Sequence, residues 1–265
     1  QIIISINSIQ MKYIVVTNTI NRNKDLVERS LLASLNQPIK PAFVVLIDQN
    51  ELPLALDKQI TANTVFIHES VNVKSVSAAR NSLNIPQGIE WIIFCDDDGY
   101  MAKNYSEILE KKLQSNPGIE ILAGKIIRED TNTHYTIRHK NFNSLKKFRH
   151  TKNLMGSNFV IKSEVYDRLG RFNENFGAGS YWGSSEETDL CWKAFFSGIN
   201  MEFFPELIVY HVPPFQESIK KGFKKAFNYG VGKGALVWKW LFIERKAKVL
   251  YEFGEMIVVP LLLMV

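Results

Sequence analysis

Short apolar runs alternating with helical periods constrain the first hundred residues of this chain more than any other feature. Tyr13 to Thr17, Phe43 to Ile47, Thr64 to His68 and Trp91 to Cys95 are rich in β-branched and aromatic residues and read as strands. After the first of them, Asp25 to Leu35 places apolar residues at 26, 27, 31, 32 and 35, the period of one helix face. Ser75 to Leu83 reads as another helix. This alternation predicts an α/β fold with a mostly parallel sheet and helices on its faces.

Further along, a helix is expected over Ser106 to Ser115, stopped by Asn116-Pro117-Gly118, followed by a strand at Ile119 to Ala123. Asn158 to Ile161 is strand-like, and Lys162 to Leu169 reads as a helix closed by Gly170. A Gly/Ser-rich loop, Phe176 to Ser185, leads into a helix that runs to Gly198. Phe203-Phe204-Pro205 and Leu207 to Tyr210 form a last short strand reaching His211. Arg128 to Asn153 is polar and basic with no clear period, which predicts a loop or an insertion.

The strand at Trp91 delivers three consecutive carboxylates, Asp96, Asp97 and Asp98, to its C-terminal end, where open α/β sheets hold their ligands. Like charges this close persist only if solvated or facing a cation. A solvated acidic turn is the plain reading. The chemical one is a site for Mg²⁺ or Mn²⁺, hard cations that take carboxylate oxygens and complete their shell with substrate phosphates.

Polar clusters mark the other strand ends and helix starts as well. Thr19-Ile20-Asn21-Arg22 ends the first strand, Asp48-Gln49-Asn50 ends the second, and Ala79-Arg80-Asn81 precedes the acidic strand. Gly156-Ser157-Asn158, Gly170-Arg171-Phe172-Asn173-Glu174 and Ser185-Glu186-Glu187-Thr188-Asp189-Leu190 follow, and His211 closes the series. Singly, each is explained by turn chemistry. In this order and spacing, from about Tyr13 to Val212, they resemble the motifs of the family 2 glycosyltransferases, inverting enzymes with the GT-A (Rossmann-like) fold.

The resemblance implies a role for each element. Thr19 and Arg22 stand where donor nucleotide is held, Asp48 where an acid contacts the nucleotide base, and Asp96-Asp97-Asp98 as the D-x-D motif that carries the divalent metal. Asp96 and Asp98 would ligate it with His211, while Arg22 or Arg80 would contact phosphate or ribose-side oxygens. Glu187 would be the base that takes the acceptor's proton, and Glu186 and Asp189 would orient acceptor hydroxyls; for Asp189 a place in the first turn of its helix explains the residue equally. Trp182 would stack on a sugar ring or pack in the core. The chain departs from the family at Glu187, where the family has Asp, and at Asn18 and Ile20, where it has Pro and Tyr.

The 265 residues are 46% apolar and 22% charged, ordinary globular values that exclude disorder. Cys95 and Cys191 sit far apart in apolar surroundings and read as reduced core residues, which favours a cytosolic setting. Ile2 to Ile6 is too short for a secretory signal, and Met11-Lys12-Tyr13 resembles a natural start, so residues 1–10 read as an upstream extension. Of the net charge of +5, Gln216 to Lys248 contributes nine Lys or Arg against Glu217 and Glu244, or +7, leaving −2 for the remainder. Phe223, Phe227, Trp238, Trp240, Leu241 and Phe242 interleave with those cations, as expected of helices at a membrane interface. The same tail would equally cap the catalytic domain or bind nucleic acid. Met256 to Val265 is apolar but only ten residues long, short of the roughly 20 a bilayer span needs.

The expectation is therefore a GT-A catalytic domain over residues 11–214 and a basic helical tail over 215–265. Its donor would be a nucleotide-diphosphate sugar, assisted by Mn²⁺ or Mg²⁺, and its acceptor a saccharide or lipid-linked saccharide of a surface glycan. The enzyme would be peripheral at the cytoplasmic membrane face, with no nucleic acid as partner. A nucleotidyltransferase is the alternative enzyme, disfavoured because Asn18 to Lys24 lacks the glycines of its phosphate loop. A non-enzymatic binding module leaves the converging acids unexplained.

Overall fold

The computed structural model describes residues 11–136, 139, 144–213, 219–254 and 256. Residues 1–10, part of the polar segment after Arg128, and all but Met256 of the apolar C-terminal run lie outside this set. The predicted α/β fold is what the chain adopts. Eight strands form one sheet: β1 (Tyr13–Thr19), β2 (Phe43–Asp48), β3 (Phe66–Ser70), β4 (Trp91–Phe94), β5 (Gly99–Met101), β6 (Ile121–Arg128), β7 (Phe159–Lys162) and β8 (Met201–His211). Their order across the sheet is β3-β2-β1-β4-β7-β6-β8-β5. Pairs β3–β2, β2–β1, β1–β4 and β6–β8 are parallel; β4–β7, β7–β6 and β8–β5 are antiparallel.

Helices α1 (Lys24–Leu35), α2 (Lys58–Thr61), α3 (Val76–Asn81), α4 (Tyr105–Ser115), α5 (Ser163–Arg168) and α6 (Glu186–Phe196) flank the sheet. Because strand side chains alternate, the core divides into two layers. Ile14, Val16, Ile92 and Phe94 face one layer with Ala79 of α3, Tyr166 of α5 and Leu190 of α6. Tyr13, Val15, Trp91 and Ile93 face the other with Leu31 of α1, Ile60 of α2 and Leu109 of α4.

The two proline-separated apolar runs at Phe203 and Leu207 are one strand of eleven residues. Pro205 has no N–H to give, so β8 bulges there: Gly124 pairs with Phe204, but Lys125 pairs with Ile208. Asn158 closes the gap, donating to the carbonyls of Lys125 and Leu207 at 2.9 Å each and accepting from Tyr105 Oη at 2.7 Å. A Cβ on Gly124 would run into the Leu207 carbonyl.

A final helix, α7 (Ile219–Trp238), continues through a π-helical turn at Lys239–Ile243. Leu236, Val237, Trp240 and Val249 from this segment share a third apolar cluster with Phe148, Phe176 and Trp192. Asp189 of α6, fully buried, accepts from Lys239 Nζ and Trp240 Nε1, both at 2.7 Å. Among the described residues no helix is long and apolar enough to cross a membrane.

Candidate active site

Two antiparallel steps, β4 to β7 and β7 to β6, restore strand direction, so β6 and β8 run parallel to β1, β2 and β4. The C-terminal ends of β1, β4 and β8 therefore reach one edge of the sheet, bringing Thr19, the acidic triplet and His211 together. Between Asp98 and His211 the join is tight, because β5 begins at Gly99, which pairs directly with His211. The sequence reading had no strand at β5.

Asp96, Asp98 and His211 each turn one ligand atom toward a common point, and those atoms lie within 4.8 Å of one another. His211 Nε2 is 2.9 Å from Asp98 Oδ1 and 3.8 Å from Asp96 Oδ2. The remaining oxygens of both acids are held by arginines: Arg80 Nη2 lies 3.3 Å from Asp96 Oδ1, and Arg22 Nη1 lies 2.9 Å from Asp98 Oδ2. His211 Nδ1–H donates to the Val212 carbonyl at 2.9 Å, which leaves Nε2 as the ligating nitrogen. Two hard oxygens and an imidazole, oriented from behind, fit Mn²⁺ or Mg²⁺.

The protonation pattern follows from this packing. Burial alone would raise Asp96, but the neighbouring His211 and the charge of Arg80 bring it down to about 2. Burial would lower His211, yet the carboxylates of Asp96 and Asp98 beside it lift it to about 10, so a metal entering the triad must displace the Nε2 proton. Asp97 goes the other way. Burial raises it to about 6, against the opposing pull of Arg22 and the Thr19 hydroxyl, which bond it at 2.9 and 2.7 Å.

The start of α6 lines the same cleft. Glu187 Oε1 lies 3.2 Å from Arg80 Nη1, so one buried guanidinium spans Asp96 and Glu187. Arg80 also donates from Nε to Asn18 at 3.1 Å and lies over the rings of Phe94 and Phe172. Gly156 packs against Glu187 so closely that a Cβ there would strike its carboxylate. Burial, then the charge of Glu187, raises Glu186 above the ordinary carboxylate range. Ser185, at the N-cap of α6, has φ 77°, a left-handed conformation where the resembling motif has glycine. Ser185→Gly is expected to stabilise the fold by roughly 0.5–1 kcal/mol, read as a higher urea midpoint at unchanged slope; a lower midpoint would show that the side chain contributes more than its backbone costs.

The cleft encloses about 1710 Å³ and is lined by Arg22, Asp96, Asp97, Asp98, Arg80, Glu186, Glu187 and His211 among others. Four predicted residues stand back from it. Thr19 is buried behind Asp97. Asp48 is fully buried, with Oδ1 bonded to the Asn50 backbone and side chain and Oδ2 to Leu54 N and His68 Nε2, all at 2.7–2.9 Å. It shapes the loop whose residues Gln49 to Leu52 line the cleft, rather than lining it. Trp182 packs on the third cluster and Asp189 holds the C-terminal segment, the core-packing alternative for one and a helix-start latch for the other.

Several contributors were missed by sequence reasoning. His68 was read only as a strand end, yet it braces Asp48. Tyr135, in the segment without a period, packs its ring, tilted, 4.6 Å from the His211 ring and lines the cleft. Tyr229, Lys233 and Glu252 of the C-terminal segment line it too, with Lys233 Nζ 2.8 Å from Glu252 Oε2.

No protein-family profile matches the chain, and no curated protein matches its sequence. Among solved structures it is similar to the crystal structure of residues 1–349 of TarS from S. aureus, with a TM-score of 0.62, 13% sequence identity and 88% of this chain covered. The chain spans 66% of that structure, just under two thirds of its length. At such low identity the likeness is one of architecture: a mixed, mostly parallel sheet flanked by helices.

Proposed function

We propose that this protein is a metal-dependent inverting glycosyltransferase of the family 2, GT-A type. It would move a sugar from a nucleotide-diphosphate donor to a hydroxyl of a saccharide or lipid-linked acceptor. One observation carries the reading: Asp96, Asp98 and His211 converge in a cleft that Glu187 also lines, with Arg80 bridging Asp96 and Glu187. Asp96 Oδ2, Asp98 Oδ1 and His211 Nε2 would hold Mn²⁺ or Mg²⁺, which supplies neutralisation of the departing diphosphate's charge. Arg22, one-third exposed on its side chain, is placed to meet phosphate oxygens from the same side. The loop that Asp48 fixes, Gln49 to Leu52, is where the nucleotide base would rest.

Glu187 is the group that would take the acceptor hydroxyl's proton. Its Oε1 accepts from Arg80 Nη1 at 3.2 Å, a contact that orients the carboxylate. A single base on the face away from the leaving group implies one displacement, hence inversion. Glu186, held neutral, would donate a hydrogen bond to the acceptor instead of competing for its proton. The fold-mate TarS is a staphylococcal wall teichoic acid glycosyltransferase, which supports the reaction class. Both cysteines are buried and free, in keeping with a cytoplasmic enzyme.

The deciding measurement is thermal stability against a panel of nucleoside diphosphates with and without Mn²⁺. A stabilisation that needs both is expected, worth about 2.7 kcal/mol at a hundredfold excess over Kd. Asp98→Asn should remove it. Equal stabilisation of that variant, or nucleotide binding indifferent to Mn²⁺, refutes the metal role.

A further inference from the structure

Helix α7 has two apolar faces, and they meet different surroundings. One side packs on the catalytic body: Leu236 and Val237 are buried, and Gly232 lies too close to Ser184 and the Trp182 carbonyl for any Cβ. Tyr229, Gly230 and Lys233 line the cleft. On the other side Phe223, Phe227, Trp238 and Phe242 are 75, 71, 56 and 63% exposed. At about 100° per residue, positions 223, 227 and 238 fall within roughly 60° of one another, so they form one stripe. Four large aromatics in a row exceed the scattered exposure normal for a soluble surface.

The charge around the stripe says what covers it. Lys224 and Lys225 fall between Phe223 and Phe227 in the chain, Arg245, Lys246 and Lys248 follow the stripe, and the whole segment from Gln216 to Lys248 carries +7. A second copy of the chain, docked isologously, would bring that charge against itself. An anionic bilayer accepts both parts of the pattern, rings at the headgroup level and lysines on the phosphates.

We propose that α7 seats the protein on an anionic membrane surface through Phe223, Phe227, Trp238 and Phe242. The consequence for the active site is geometric. A helix with its side chains is about 10–12 Å across, so the lipid-facing stripe lies one helix width from the wall that Tyr229 and Lys233 give the cleft. The acceptor is then a saccharide carried on lipid, its headgroup entering beside α7. This last step rests on the proposed transfer reaction; the membrane contact does not.

Flotation of the full chain with vesicles tests it, using phosphatidylglycerol–phosphatidylcholine mixtures against phosphatidylcholine alone. Binding is expected to the anionic vesicles, to weaken with salt, and to fall at least tenfold in Phe223→Ser/Phe227→Ser/Phe242→Ser. The variant's Mn²⁺-dependent nucleotide stabilisation should equal that of the unaltered chain, which reports that it is folded. Equal flotation of the variant overturns the proposal. So does a lack of flotation accompanied by a dimer that the variant dissolves, which would name a second copy as the occupant. Vesicle binding without any Mn²⁺-dependent nucleotide effect would instead sink the transfer reaction and leave the membrane contact standing.

Discussion

Glu187→Gln is expected to bind donor nucleotide with Mn²⁺ as well as the unaltered protein and to transfer sugar roughly 10²–10⁴-fold more slowly, the usual contribution of a positioned base. The substitution keeps the shape that fits against Gly156 and still accepts a hydrogen bond from Arg80 through its amide oxygen. What it loses is the carboxylate that receives a proton. Binding and turnover therefore separate, which a purely structural role for Glu187 would not produce. Single-turnover transfer with the donor identified by thermal stability is the assay. Turnover within a factor of a few of the unaltered enzyme would pass the base's role to Glu186, the other carboxyl at the start of α6.

The second large effect is on stability. Asp189→Ala is expected to cost about 3 kcal/mol, because it strands the Lys239 ammonium and the Trp240 indole N–H that Asp189 alone receives at 2.7 Å each. Asp189 is fully buried and Lys239 is 18% exposed on its side chain, so little water is at hand to replace the lost partner. Asp189→Asn keeps an acceptor for Trp240 and should cost less. The double change Asp189→Leu with Lys239→Met removes both charges and should cost less than Asp189→Ala alone. Urea midpoints at constant slope measure all three. A midpoint for Asp189→Ala indistinguishable from the parent would mean that the C-terminal segment does not depend on this junction.

The contrast between these two residues says which features a sequence can disclose. The parallel sheet and the acidic triplet were legible, because strand and helix periods are local and three acids after a buried strand admit few explanations. Strand β5 was not: three residues, Gly99 to Met101, carry no period, and their pairing with β8 is decided more than a hundred residues later. The family resemblance cast Asp48 as a nucleotide-contacting acid and Asp189 as an acceptor-orienting one, with a helix-start role equally open for Asp189. Oδ2 of Asp48 and Oδ1 of Asp189 are taken up by partners no local pattern reveals, His68 from the neighbouring strand in one case and Lys239 and Trp240 from the far end of the chain in the other. The tail was read as a membrane-interface segment or equally as a cap on the catalytic domain, and Leu236, Val237 and Trp240 pack with Trp192 of α6 in one apolar cluster.

Arg80 gives the two walls of the cleft a common counter-ion. Its guanidinium, almost without contact with water, divides its attraction between Asp96 and Glu187. Any charge arriving beside Asp96 alters that division, and Glu187 registers it without touching the newcomer. In the proposed transfer reaction, the donor and acceptor halves of this pocket would be in electrical communication before any second substrate enters, which would favour loading in a fixed order.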